Sequence, residues 1–490
     1  MGNRVKTISL LLLCVAGVHL VGCFPDNSLE WSDDGLWGLL RVRGSLFLVD
    51  GESGGLTPVE PDGVSQMPDI SADGGHIAYV KGFRCEGVEE GLKLFPAPVA
   101  RMIRDDARQL EQKILAGLVA PGDLPEDKDE KLGYADSYLR WVIRCMCVDP
   151  GAALAEKLGP SKLGECEQLE IGFNRLLVAP RARLQERKVL VTMPLGMFRP
   201  RFTPDGRHIA YVMPRPHDED QAILFLASAD GKIDAMEVTV GVAIGYDWRP
   251  DGKALAYIKR DGDPILGALE EKVVLGDDGV ALDKPVEASN GESIGTSQAT
   301  QAGRQLAGTL FQPTMHVEYG LDGRMILSSA AAAIPTTELD EPDYSLFCYD
   351  RLTGTVTNIL PGALRSQASQ NMNFFRLSPD GRRLLVPLRH NRFAVYELGS
   401  NDAIFPCGQD EGFGMDDMPD FVPAWKGNDR ITALVSENSH LLGDNEEPAR
   451  RKEIVLIDTQ GQLKSVLSRD WPDDAIPRDM QDKADDARSK

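Results

Sequence analysis

A short phrase that recurs along the chain restricts its fold more than any single residue does. It reads Phe202-Thr-Pro-Asp-Gly-Arg-His-Ile-Ala-Tyr-Val. It returns as Trp248-Arg-Pro-Asp-Gly-Lys-Ala-Leu-Ala-Tyr-Ile and as Leu377-Ser-Pro-Asp-Gly-Arg-Arg-Leu-Leu-Val. Within Thr203-Pro204-Asp205-Gly206, proline presets φ at the second position of a type I turn, and glycine takes φ > 0 at the fourth. The phrase therefore predicts a tight hairpin. The apolar run that follows, Ile209-Ala210-Tyr211-Val212, suits a strand covered on both faces, with the small alanine letting neighbouring sheets approach.

Looser copies lie at Trp31-Ser-Asp-Asp-Gly35, Ile70-Ser-Ala-Asp-Gly74, Tyr319-Gly-Leu-Asp-Gly323 and Trp425-Lys-Gly-Asn-Asp429, which brings the count to seven. Most are followed by a further strand, such as Leu46-Phe-Leu-Val-Asp50, Leu346-Phe-Cys-Tyr-Asp350 or Ile454-Val-Leu-Ile-Asp458. A fourth then follows near 356–360 or 462–467. Four strands per repeat is a propeller blade. The predicted fold class is all-β, a β-propeller of about seven four-stranded blades.

With these turns and flanking strands, residues 28–470 resemble the TolB-type propeller repeat family, a WD40-like repeat. The resemblance implies the fold. It does not extend to the α/β domain that precedes the propeller in TolB, because only a few residues separate Cys23 from the first blade. Similar repeats occur in envelope scaffolds, in prolyl-oligopeptidase-like enzymes and in exported proteins generally.

Residues 1–22 read as a signal peptide, with Arg4 and Lys6 ahead of an apolar stretch over 8–21 that is too short to span a bilayer comfortably. The stretch ends in Leu20-Val21-Gly22-Cys23, which resembles the bacterial lipobox and implies lipidation of Cys23. The predicted address is lipid-anchored on the cell envelope, facing periplasm or exterior. Phe24 after the lipid site favours the outer membrane where the host has one. An ordinary secretory signal is the competing reading. The chain carries net charge −22, and loss of residues 1–22 removes two positive charges to leave −24. That balance argues against nucleic acid and anionic lipid as partners, and chiefly describes a solvated surface.

The turn signals at Asp73 and Asp205 lie 132 residues apart, far more than any other neighbouring pair. The excess predicts an insertion over 81–172, between the first blade with the start of the second (23–80) and the remaining blades (173–470). Residues 471–490 read as a disordered tail. Val99, Met102, Ile103, Ala107, Leu110, Ile114 and Leu118 fall on one helix face, ended by Pro121-Gly122. A charged linker follows, then helices over 134–145 and 152–158. The uncovered face makes the insertion the best candidate for partner docking, unless the ring or the rest of the insertion covers it.

Four of eight cysteines lie in the insertion. Export favours disulfides. Cys85 and Cys166 sit near its two ends, and a bridge there would contribute about 4 kcal/mol by chain entropy. Three connectivities are open among Cys85, Cys145, Cys147 and Cys166. Cys145-Met-Cys147 has neither the spacing nor the histidine partners of a zinc site, so no metal or cofactor is expected.

Gly291-Glu-Ser293-Ile-Gly295 has the form of a nucleophile elbow but lacks the strand before and the helix after it. Gly412-Phe-Gly414 lacks the rest of a dinucleotide loop. His76 and His208 share one repeat position, which reads as a strand start rather than a ligand pair. The acidic runs 217–220 and 443–447 lack calcium-loop spacing. No catalytic residue is predicted. The expected function is an envelope scaffold that binds another protein or a surface polymer. The alternative is a propeller enzyme of lactonase, lyase or glycosidase type with its site in the central channel.

Overall fold

A computed structural model describes residues 27–470 except 43, 61–67, 125–133, 216–217, 233, 261–266, 288–313, 332–342, 351–352, 354, 369–371, 373, 390–391, 401–402, 408–420 and 437–451. Cys23, the elbow-like 291–295, Gly412-Phe-Gly414, the acidic run 443–447 and the tail all lie outside these residues.

The strands form a ring of antiparallel meanders. The first is Asn27–Trp31, Trp37–Val42, Ser45–Asp50 and Leu56–Glu60 (β1–β4). The second is Asp69–Ile70, His76–Cys85, Ile171–Pro180 and Lys188–Met193 (β5–β8). Next come Phe198–Phe202, His208–Arg215, Asp218–Ser228 and the long Met236–Trp248 (β9–β12). Ala254–Arg260, Gly267–Leu275 and Ala281–Glu287 (β13–β15) continue from it. β12 ends one meander and begins the next, which joins both into a seven-stranded sheet. Two more follow: Thr314–Tyr319, Met325–Ala331, Asp343–Asp350 and Thr355–Asn358 (β16–β19), then Arg376–Leu377, Arg383–Pro387, Phe393–Glu397 and Ala403–Cys407 (β20–β23). After Phe421–Val422 (β24), the last is Ala424–Lys426, Arg430–Ser436, Lys452–Asp458 and Leu463–Val466 (β25–β28). The fold is a β-propeller, and each meander is a blade.

The repeated phrase folds as its chemistry dictates. The Thr203 N–H donates to the His208 carbonyl at 2.8 Å, the His208 N–H donates to Thr203 Oγ1 at 2.9 Å, and the Gly206 N–H donates to the Thr203 carbonyl at 2.8 Å. Asp205 Oδ1 accepts from Thr203 Oγ1 at 2.6 Å and from the Arg207 N–H at 3.0 Å. Gly206 sits at φ 70°, where a Cβ would be strained. Ser71–Asp73 and Ser378–Asp380 build the same hydroxyl–carboxylate pair. Ile209, Ala210, Tyr211 and Val212 are fully buried, as a strand covered on both faces requires.

At the closure, the short β24 from the segment ahead of the last blade joins the sheet of the first blade. β24 pairs in parallel with β1 through Asn27↔Phe421 and Ser28↔Val422. Leu29, Trp31 and Leu40 pack with Ala424, Leu434 and Leu456 in one core. The Trp31 indole N–H donates to Thr432 Oγ1 at 3.3 Å.

Four helices interrupt the second blade between β6 and β7: Val88–Leu92, Ala97–Leu115, Tyr134–Cys147 and Ala152–Gln168 (α1–α4). Helix α2 ends at Leu115, short of the stop that Pro121-Gly122 suggests, and Gly117 just beyond takes positive φ, which leaves Leu118 exposed. Helix α4 passes a break at Gly159-Pro160 and runs ten residues beyond the expected stop at Leu158. The apolar face of α2 is covered from within: Ala100, Ile103, Ala107 and Ile114 share a core with Tyr138, Trp141, Leu154, Phe173 and Val178. Of the two outcomes open for this face, cover by the insertion and its own blade is the one found.

Trp141 is the pin of this insertion. It is fully buried, stacks edge-on against Phe95 at 5.0 Å and donates to the Gly172 carbonyl at 2.6 Å. Arg144 donates to the Leu169 and Glu86 carbonyls at 2.7 and 3.0 Å. A Cβ on Gly91 would lie 2.2 Å from the Trp141 ring and 2.7 Å from Cys85 Sγ. Gly91→Ala is thus expected to destabilise the protein by roughly 1–3 kcal/mol through overpacking. Gly164→Ala, in α4 with open space around it, should be neutral or slightly stabilising. Urea unfolding of the two variants checks the contrast.

The expected Cys85–Cys166 bridge needs correction. Both are free thiols, as are Cys145, Cys147 and Cys348. Cys85 closes β6 and donates to the Gly87 carbonyl at 3.2 Å. Because α4 extends to Gln168, Cys166 is carried into the helical core rather than left at the base of the insertion. There its sulfur is hydrogen-bonded to that of Cys147, which together with burial pushes the Cys147 thiol up.

Candidate functional site in the central channel

Each repeated phrase is preceded by the last inward-facing position of an inner strand. These residues are Glu30, Asp69, Arg201, Asp247, Glu318, Arg376 and Ala424. Six of the seven are charged, and the fold brings them together. Arg201 reaches Asp247 at 3.5 Å. Arg376 reaches Glu318 at 3.1 Å and Glu30 at 3.2 Å. Glu30 and Arg376 belong to blades that are not neighbours, so their bond spans the blade between them. The small Ala424 holds the intervening position.

The carboxylates also tie adjacent blades through the backbone. Asp69 Oδ2 accepts from the Phe202 N–H at 2.7 Å, Asp247 Oδ2 from the Tyr319 N–H at 2.9 Å, and Glu318 Oε2 from the Leu377 N–H at 2.9 Å. In each case the acid of one inner strand caps the amide just after the equivalent position of the next. Tryptophans return the bond: Trp248 Nε1 donates to the Arg201 carbonyl at 3.2 Å and Trp425 Nε1 to the Arg376 carbonyl at 3.1 Å. At the closing blade, Trp31 reaches Thr432, whose hydroxyl donates to the Ala424 carbonyl at 3.3 Å.

Arg199 and His316 complete the cluster. Arg199 Nη1 lies 2.8 Å from His316 Nδ1. A guanidinium only donates, so Nδ1 is the acceptor and the imidazole is neutral. Its Nε2–H then donates to Glu318 Oε1 at 3.3 Å. Burial, with Arg199, Arg376 and Arg201 nearby, holds His316 well below its usual range. Burial and the same crowding by Arg201 and Arg376 push Arg199 down to about 9.

Asp69 is the acid whose charge is least welcome. Burial pushes its carboxyl up to about 6, against the pull of Arg201 and the Phe202 N–H. A carboxyl with a folded pKa above its unfolded value binds more protons folded than unfolded between about pH 4 and 6. Stability from this residue is therefore full below pH 4 and falls as pH rises through 6. The span is at most about 3 kcal/mol, less where the channel admits water. Asp69→Asn keeps an acceptor for the Phe202 amide. It is expected to raise stability at pH 8 toward that limit and to flatten the pH 4–6 part of the stability curve, read by denaturant midpoints.

His76 and His208 meet in a second place. They line a groove of about 530 Å³ with Lys188, Arg207 and Asp230 at the junction of two blades. His208 Nδ1 is buried there without a hydrogen-bond partner, and burial lowers its pKa. Among the described residues, no group of three or more His, Cys, Asp or Glu side chains could hold a metal ion.

No family model matches this sequence, and no curated protein matches it. Solved structures do. TolB from Acinetobacter baumannii matches at 14% identity and TM-score 0.35, over 59% of this chain and 58% of its own. An oligogalacturonate lyase in complex with manganese matches at 12% identity and TM-score 0.41, over 76% of each chain. The Myceliophteria thermophila Cps50 (Swd1) β-propeller domain matches at 9% identity and TM-score 0.37, over 84% of this chain and 93% of its own. This chain thus spans less than two thirds of the TolB chain. No helix of the described residues is long and apolar enough to cross a membrane.

Proposed function

We propose that the protein is an envelope-anchored ring of seven blades that binds a partner protein or surface polymer, with Cys23 as its lipid anchor. One observation carries the binding reading. The channel carboxylates, which a channel enzyme would use as acid, base or metal ligand, are engaged as blade-to-blade fasteners on backbone amides and arginines. The result is a stiff platform with a rigidly docked helical insertion on one blade. The lipobox-like Leu20-Val21-Gly22-Cys23 supports the address.

The test is affinity purification of the lipidated protein from its own host after mild in-cell cross-linking. A reproducible stoichiometric envelope partner supports the reading. Its absence, with the anchored protein intact, sinks it. The second reading, a propeller enzyme with its site in the channel, is favoured by the neutral His316 beside Arg199. It would gain if loss of His316 left folding unchanged while abolishing turnover of a ligand found in the channel.

A further inference from the structure

Arg199 is the one described non-glycine residue with positive φ, 48°. Such a conformation is strained and persists only where its surroundings hold it. They do here. Between Phe198↔Val212 and Arg201↔Ala210 the ladder slips, so Arg199 and Pro200 bulge out of β9 opposite a single residue of β10. The Tyr246 hydroxyl, from the next blade, sits against the carbonyls of Arg199 and Ala210.

The device aims a guanidinium at the ring axis, where His316 of a non-neighbouring blade receives it. Arg201 and Arg376 have carboxylates of their own. Arg199 has none among the described residues, and its single side-chain partner is a neutral imidazole. Its Nε–Nη2 edge, the face that grips a carboxylate through two parallel hydrogen bonds, has no protein partner there. A cation held in a strained backbone, crowded by two other arginines and bonded to no carboxylate of its own, is built for an anion from outside. The four acids around the ring disfavour a dianion, and the planar fork favours a carboxylate.

We propose that Arg199 anchors a binding site in the central channel for the carboxylate group of a small ligand, held on its Nε–Nη2 edge. The site stands whether or not a protein partner exists, so failure of the cross-linking experiment leaves it untouched.

Calorimetric titration of the mature full-length chain with N-acetylalanine, and with N-acetylalanine amide at matched ionic strength, tests it. Saturable binding of the acid is expected, with no binding of the amide. Arg199→Gln should weaken the acid at least tenfold, while Arg108→Gln on the exposed face of α2 should leave it unchanged. Equal binding of acid and amide, undiminished binding by Arg199→Gln, or no binding to the wild type would overturn the proposal. Should Arg199→Gln fail to fold, wild-type crystals soaked in sodium acetate decide. A carboxylate on the Nε–Nη2 edge supports the site, and water alone there overturns it.

Discussion

Glu318→Ala is expected to lower the stability of the ring by about 3–5 kcal/mol, the cost of breaking a buried ion pair by removing one partner. Glu318 is 7% exposed and serves three groups at once: Arg376 at 3.1 Å, His316 at 3.3 Å and the Leu377 amide at 2.9 Å. Its loss leaves Arg376 with Glu30 alone, and leaves the Leu377 N–H and the His316 Nε2–H without acceptors. The comparison that decides the matter is Glu170→Ala. Glu170 pairs with Arg84 at 2.9 Å, shorter than any channel pair, yet the two side chains are 56% and 85% exposed. An exposed pair of that kind contributes 0–1 kcal/mol. Glu318→Gln, which keeps an acceptor for the amide but not the charge, should fall between the two. Denaturant unfolding of the three variants gives the order, and a Glu318→Ala protein as stable as Glu170→Ala would remove the fastener role.

Cys23→Ser is expected to move the protein wholly from the membrane fraction to the soluble fraction. Two or more acyl chains on one residue hold a protein at a membrane stably, at roughly 0.8 kcal/mol for each buried CH₂, whereas a single chain does so only marginally. Nothing else in the described residues offers a membrane-crossing helix. Fractionation with lipid labelling checks this. A labelled wild type that partitions to membranes beside an unlabelled, soluble Cys23→Ser supports the lipid anchor. A Cys23→Ser protein that remains with the membrane would point to an uncleaved signal segment instead.

The propeller was legible because its signal is local. A hydroxyl, Asp-Gly turn and a doubly buried run after it are set by residues within about ten positions, and Thr203, Asp205, Gly206 and Ile209 behave as their chemistry requires. The channel cluster was equally written in the chain, as the charged residue just ahead of six phrases. It stayed hidden because a charge two places before a turn reads as a solvated edge until ring closure turns all six inward. Arg199 left no local sign, since its bulge is fixed by Tyr246, a residue 47 positions away. The cysteines misled for a geometric reason. Sequence distance put Cys85 and Cys166 at the insertion's two ends, but the helix that resumes after Gly159-Pro160 carries Cys166 inward to Cys147. What covers the helix face was open for a related reason: a helix pattern shows that a face needs cover but not what supplies it, and Trp141 and Phe173 supply it from within the same blade.

The most direct measurement is native-state hydrogen exchange at the Phe202, Tyr319 and Leu377 amides, followed in the wild type and in Glu318→Ala. If the channel acids fasten blade to blade, all three amides in the wild type exchange only with large-scale opening of the ring. In Glu318→Ala, Leu377 then loses its protection first while Phe202 keeps more of its own. Wild-type exchange at Leu377 as fast as at an open turn, or no change there in Glu318→Ala, would contradict a fastened ring and return the channel carboxylates to the pool of groups free for chemistry.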